Sequence, residues 1–259
     1  MRAIRCLVAA VLAAGIVTVV AAQQPGGRFG GGGDVNALVL TNAALQEDLK
    51  VSAEQKTKLK PAVEKQEALN KKRGEIFGKG GKGFDKDAFT AYQEESKKVG
   101  EEVKKVVDDT LTADQKNRLK QIATQVMGFN AFNDPEAKGG KGGFGGPSEA
   151  DKAIMKEVGA ALKLSDKQKS TIKGVVDEFN KERQEINKEA GIGGGFGTKG
   201  KAPDEEKVKS ANTKIAKSRK EAWGKIEEAL DGTQKTAWKG LVGEPFDTEK
   251  LRPVAPKKD

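Results

Sequence analysis

The sequence predicts an all-α protein of two tandem four-helix units, each built on a long antiparallel helical hairpin with a Gly/Lys-rich tip loop. Three observations carry that expectation. A short helix-start motif occurs four times, apolar residues recur at steps of three and four over long stretches, and no window alternates as a strand does.

The motif copies are Val51-Ser52-Ala53-Glu54-Gln55-Lys56, Leu111-Thr112-Ala113-Asp114-Gln115-Lys116, Leu164-Ser165-Asp166-Lys167-Gln168-Lys169 and Leu230-Asp231-Gly232-Thr233-Gln234-Lys235. Each places Ser, Thr or Asp three residues before Gln, the capping-box pattern. The pairs are Ser52 with Gln55, Thr112 with Gln115, Ser165 with Gln168 and Asp231 with Gln234. The first side chain accepts from the N3 amide, the Gln reaches back to the N-cap amide, and the preceding apolar residue turns inward. Each copy continues to an apolar residue and a lysine: Leu59-Lys60, Leu119-Lys120, Ile172-Lys173 and Trp238-Lys239. As caps alone, a pair such as Thr112 and Gln115 is worth about 1–2 kcal/mol.

The spacing shows a duplication. Copies one and three are offset by 113 residues and copies two and four by 119. Leu49 matches Leu162, Leu59 matches Ile172 and Val63 matches Val176 at the first offset; Phe89 matches Val208 and Val107 matches Ile226 at the second. The six extra residues fall in a hairpin tip, where added length costs little.

In chain order, residues 1–22 read as a signal peptide. Arg2 and Arg5 precede an uncharged run from Cys6 to Val20, and Val20-Ala21-Ala22 offers a cleavage site after Ala22, implying a periplasmic or secreted protein. The run is short for a membrane span. Residues 23–34 form a Gly-rich linker, and the first unit covers 35–130. It opens with a helix over about Val35 to Lys50. Two helices of roughly 25 residues follow, each about 37 Å long, folded back at Gly78 to Gly83. Phe89, Tyr92, Ser96, Val99, Val103, Val106 and Thr110 share one face of the second. A helix from Thr112 to Met127 closes the unit, and 131–147 is a second Gly-rich linker.

The second unit, 148–243, repeats the order. A helix runs from Ser148 to Lys163, and the next carries Ile172, Val175, Phe179, Arg183, Ile186 and Ala190 on one face. After the tip from Gly191 to Ala202, Pro203 with Asp204-Glu205-Glu206 starts a helix, with acids at the positive end of its dipole. Val208, Ala211, Ile215, Ser218, Ala222, Ile226 and Ala229 form its face, and Thr233 to Val242 is the last helix. Residues 244–259, with Pro245, Pro253 and Pro256, read as an extended tail.

Composition agrees with narrow helical seams. Of 259 residues 33% are charged and 5% aromatic, so Val, Leu, Ile and Ala supply the core. There is no histidine, and the one cysteine, Cys6, lies in the signal peptide. Removing Arg2 and Arg5 with that peptide takes the net charge from +9 to +7 and leaves no disulfide. Without His or Cys the mature chain lacks the usual nucleophile–base pairs and soft-metal ligands, so no catalytic residue, cofactor or metal is expected. Gly78-x-Gly80-x-x-Gly83 and Gly140-x-Gly142-x-x-Gly145 match the dinucleotide fingerprint by letter, yet neither follows a strand. Glu94-Glu95 and Glu101-Glu102 read as a solvated face, with weak binding of hard cations as the alternative.

The Gly-rich segments carry Lys79, Lys82, Lys138, Lys141, Lys199 and Lys201, with Phe84, Phe144 and Phe196 among them. Such segments either hold a polyanion loosely or keep a tip soluble. For an exported chain the polyanion is a surface polymer, and nucleic acid is not an expected partner.

Leu111-Thr112-Ala113-Asp114-Gln115 is an intact LTxxQ motif, and the other three copies are close variants. Two such motifs bracketing a helical hairpin behind a signal peptide resemble the Spy/CpxP family of periplasmic proteins. That resemblance implies small, all-α, cradle-shaped dimers that bind unfolded clients without ATP or regulate envelope-stress signalling. The chain is also similar to larger exported proteins with duplicated LTxxQ units, in phrases such as Arg118-Leu119-Lys120-Gln121-Ile122 and Gly243-Glu244-Pro245-Phe246. It departs from Spy in its tandem fusion, its Gly-Lys-Phe tips and its lack of histidine, which removes metal sensing by that residue. Two functions follow: a chaperone-like or stress-related protein whose partners are unfolded or envelope proteins, or an interaction protein holding an anionic surface polymer. Neither is an enzyme.

Overall fold

The computed structural model describes residues 35–77, 85–136, 147–192 and 204–251, which form nine α-helices, two 3-10 turns and no strand. The helices are α1 Val35–Thr41, α2 Ala43–Asp48, α3 Ala53–Phe77, α4 Lys86–Thr110, α5 Ala113–Met127, α6 Glu149–Leu162, α7 Asp166–Glu189, α8 Glu205–Ala229 and α9 Gly232–Val242. The 3-10 turns cover Gly128–Phe132 and Thr248–Leu251.

The first departure from expectation lies between Val35 and Lys50, where two short helices replace one. Asn42 sits between them in extended backbone, and its Oδ1 accepts from the Leu45 amide at 2.8 Å. An Asn side chain that satisfies a backbone donor outside the helix competes with the helix itself, so the chain restarts there.

The long helices pair as hairpins. Lys65 meets Glu102 and Lys72 meets Glu95, so advancing seven residues along α3 retreats seven along α4, as an antiparallel pair requires. In the second hairpin Glu178 meets Lys225 at 3.0 Å, and Ser218 donates to Glu182. Hairpin two is apolar along much of its length, with Phe179, Ile186, Ala211 and Ile215 all buried. In hairpin one the buried residues of α4, Val103 and Val107, lie near its base. The expected face residues nearer the tip, Phe89, Tyr92, Ser96 and Val99, are half-buried.

The chain then crosses between its halves twice. After α5, Gly128 takes φ 55° and ψ −126°, and the first 3-10 turn carries Phe129 and Phe132 into the core of the second unit. Phe129 lies 5.2 Å from Phe179 and 4.6 Å from Trp223 between ring centroids; Phe132 lies 4.9 Å from Trp238. After α9, Gly243 takes φ 60° and ψ −154°, and the chain runs back to bury Phe246 and Leu251 in the core of the first unit. The segments read from sequence as a linker from 131 and a tail from 244 therefore begin as packed structure. Ala131 is buried with α6, and Thr248–Leu251 is a 3-10 turn against α2.

Polar contacts fix the return crossing. Gln125, itself buried, donates to the carbonyls of Val242 at 2.6 Å and Glu244 at 2.8 Å and accepts from the Phe246 amide at 2.9 Å. Arg118 forks onto Asp48 and donates to the Glu244 carbonyl, and Asn42 donates to the Lys250 carbonyl. The two phrases Arg118–Ile122 and Gly243–Phe246 thus touch each other across the fold.

Gly243 and Gly128 both occupy positive φ, which suits glycine alone at these ψ values. A Cβ on Gly243 would lie 2.2 Å from Oε1 of Gln121, whose amide donates to the Gly240 carbonyl; a Cβ on Gly128 would meet nothing. Gly243→Ala should cost about 2–3 kcal/mol and Gly128→Ala about 1–2 kcal/mol, from backbone strain. Urea unfolding of the two variants checks the order, and equal destabilisation would show that Gln121 yields freely.

Candidate functional site

Each repeated motif builds its helix start in the same way. In α5 the Gln115 amide donates to Thr112 Oγ1 at 3.3 Å, and the Thr112 amide donates to Gln115 Oε1 at 2.9 Å. The reciprocal pair is present at Ser52 with Gln55 (3.2 and 2.9 Å), Ser165 with Gln168 (3.3 and 3.0 Å) and Asp231 with Gln234 (2.8 and 2.9 Å). Val51, Leu111 and Leu230 are buried ahead of their caps, and Leu164 is half-buried.

The same glutamines also meet in pairs, which sequence reasoning missed. Gln55 Nε2 donates to Gln115 Oε1 at 2.7 Å and to the Thr110 carbonyl at 2.9 Å, while Gln115 Nε2 donates to the Leu49 carbonyl at 2.9 Å. In the second unit Gln168 Nε2 donates to Gln234 Oε1 at 2.7 Å and to the Ala229 carbonyl at 2.8 Å, and Gln234 Nε2 donates to the Leu162 carbonyl at 2.9 Å. Each pair ties the starts of two helices to the ends of two others, using acceptor and donor of the amide together. A signal was available: all four copies carry Gln, although Glu would serve a capping box equally well. A carboxylate has no hydrogen to give. These eight residues form two architectural clasps, in which the hydroxyls of Ser52, Thr112 and Ser165 accept helix amides and Asp231 is the one ionisable group.

A second feature has the character of a binding surface. A groove of about 820 Å³ opens between the first 3-10 turn, α6 and α7. Its apolar lining includes Phe129, Phe132, Met155, Val158, Ile172 and Val176. Lys163, Lys169 and Lys173 line it with Asp134 and Asp177. Lys173 is paired with Asp177 and Lys169 lies 3.5 Å from Asp166, whereas Lys163 makes no ion pair with a described residue. Lys163 holds φ 45°, as its counterpart Lys50 holds φ 52°, a left-handed cap that ends the helix and turns it into the next motif. Neither the groove nor the meeting of Phe129, Phe132, Trp223 and Trp238 behind it was legible from spacing, because the aromatics come from segments far apart in sequence.

The lysines Lys79, Lys82, Lys138, Lys141, Lys199 and Lys201 lie outside the described residues, as do the segments read from sequence as a signal peptide, 1–22, and a linker, 23–34. Of the paired carboxylates, Glu95 and Glu102 are engaged by lysines of α3, and no group of three or more potential metal ligands occurs among the described residues. No helix among them is long and apolar enough to cross a membrane. The carboxyl of Glu227 is held above the usual range, mainly by burial, against the opposing pull of Lys235 and Lys239. Its place at the C-terminal end of the α8 dipole acts in the same direction as burial. A carboxyl whose folded pKa is raised favours the fold below its unfolded value and loses that contribution as pH rises through the folded one. Glu227→Gln should therefore raise the melting temperature at neutral pH and have little effect below the carboxylate range; thermal melts at both pH values test this.

No family model, curated protein or solved structure matches the chain.

Proposed function

We propose that this chain is an exported, non-enzymatic binding protein of the Spy/CpxP-like kind, in which two tandem units, of five and four helices, hold apolar segments of unfolded or envelope proteins without ATP. The observation that carries the reading is the groove, where the half-buried side chains of Phe129, Phe132, Leu164 and Val176 border open space between helices whose other faces are charged. Exposed apolar concavities of this size are where soluble proteins take partners. The LTxxQ-like caps and their pairing around each hairpin add to it.

The test is an aggregation assay with the chain from residue 23 onward and an unrelated, thermally unfolded client. Light scattering should fall at equimolar protein, at low and high salt alike, with no nucleotide added. Unchanged scattering at every ratio would dismiss the reading.

The six lysines in Gly-rich segments and the net charge of +7 from residue 23 onward (9 − 2, without Arg2 and Arg5) favour a second reading, adhesion to an anionic surface polymer. Changing Lys79, Lys82, Lys199 and Lys201 to Ser should then abolish polymer binding and its salt dependence while leaving the melting curve unchanged. Protection of the client by that variant would assign the anti-aggregation activity to the helical faces.

A further inference from the structure

The two crossings between the halves are built alike and run in opposite directions. Each follows the last helix of a unit and begins at a glycine of positive φ, Gly128 or Gly243. Each then packs two large apolar side chains on the other unit, Phe129 and Phe132 on the second, Phe246 and Leu251 on the first. The surfaces that receive these tails have diverged. On the first unit Gln125 donates to the Val242 and Glu244 carbonyls and accepts from the Phe246 amide, while Arg118 and Asn42 donate to the Glu244 and Lys250 carbonyls. At the offsets of the duplication Asn42 and Arg118 correspond to Met155 and Ala237, and Gln125 to a position beyond the end of α9. The second unit therefore has no such clamp. Its receiving surface is aromatic, with Phe179, Trp223 and Trp238 against the arriving phenylalanines. The first unit has Gln66, Lys104 and Leu119 at those positions.

We infer that the two units are a heterotypic pair: each carries a docking surface for the tail of the other kind of unit, and neither has one for its own kind. This recognition holds the halves together without help from the chain between Glu136 and Pro147. The partner that fits the Gln125 surface is a unit of the second kind, whether or not it is covalently joined. Physical chemistry makes the pairing selective. A second-unit tail laid on another second unit would leave its Glu244 and Lys250 carbonyls and its Phe246 amide without the clamp that satisfies them. A first-unit tail laid on another first unit would bring its phenylalanines to Gln66 and Lys104, where burial costs polar groups their water. The inference stands apart from client binding and would hold for a protein that binds no client.

The test severs the covalent link and leaves the fold in place. The chain from residue 23 onward, with a protease site inserted between Glu136 and Pro147, is folded and then cut. In sedimentation at micromolar concentration the two halves should remain one particle of the uncut mass. Tryptophan emission should not shift on cutting, because both tryptophans lie in the second half and the phenylalanines packed on them come from the first. Refolded from urea beside the uncut chain, the cut protein should return to the same particle, and native mass spectrometry should find one half of each kind in it. Gln125→Ala removes hydrogen bonds that run from the first half to the second. It should raise the dissociation constant of the cut pair about tenfold or more, while the uncut variant keeps its wild-type ellipticity.

Separation of the halves on cutting overturns the inference, since the chain between them would then be what holds them. Pairs of like halves after refolding overturn it too, because the two surfaces would be interchangeable. So does failure of the cut halves to pair while the uncut chain refolds. A Gln125→Ala pair as tight as wild type would show that the clamp does not select the tail, and the heterotypic assignment would fall with it.

Discussion

Replacing Phe246 and Leu251 with alanine should unfold the first unit well before the second. Both side chains are buried in the core formed by α1 to α5, although they lie at the opposite end of the chain. Truncations of this kind cost about 3–5 kcal/mol for Phe and about 2–5 kcal/mol for Leu, because apolar burial is given up and a cavity remains in its place. The pair shares one cluster, so the two costs need not add, yet together they approach the whole stability of a domain, roughly 5–15 kcal/mol. The readout is built in. Both tryptophans, Trp223 and Trp238, lie in the second unit, so fluorescence follows that unit while circular dichroism follows all helices. The double variant should lose a large part of its ellipticity at a urea concentration where tryptophan emission is still native. Coincident transitions at the wild-type midpoint would show that the returning segment is an ornament.

Gln234→Glu separates a cap from a clasp. If Gln234 only capped α9, a carboxylate at that position would be neutral or favourable, since it accepts from the Asp231 amide and sits at the positive end of the helix dipole. The structure demands a donor as well, because Gln234 Nε2 reaches the Leu162 carbonyl and Gln168 Oε1 at a buried position. A carboxylate there faces two acceptors, and the expected loss is about 2–4 kcal/mol at neutral pH. Protonation restores a donor. The introduced carboxyl should thus have a folded pKa above its unfolded value of about 4.3, so stability is recovered below that pH and lost as pH rises above it. Denaturation at pH 4 and pH 7 reads this directly, and a variant as stable as wild type at both would leave the glutamines as caps alone. By the same reasoning the alanine exchange at Ser165 and Gln168 should exceed the 1–2 kcal/mol expected of a cap pair, since the Ala229 carbonyl and the Gln234 amide lose their partner too.

The sequence determined what depends on neighbours along the chain. Four capping boxes, the 3.6-residue period of α4, α7 and α8, and the acidic start of α8 at Asp204 are local, because a helix start is made of residues three apart and a helix face of residues three and four apart. The duplication was legible for the same reason: it repeats local patterns at fixed offsets. Even there local competition had a limit, since Asn42 broke a helix that periodicity carried through.

Only the tertiary structure decided what the glutamine amides donate to, and where Phe129, Phe132, Phe246 and Leu251 are buried. A short segment after a glycine, with a proline beside it, has the composition of a tail whether or not its two apolar residues find a core. The outcome turns on the free energy of burying them against a unit more than a hundred residues away, which no spacing encodes. The groove belongs to this second kind. Ile172 and Val176 beside it are as buried as their counterparts Leu59 and Val63, but the element packed on their helix is the crossing turn, where the first unit has α1.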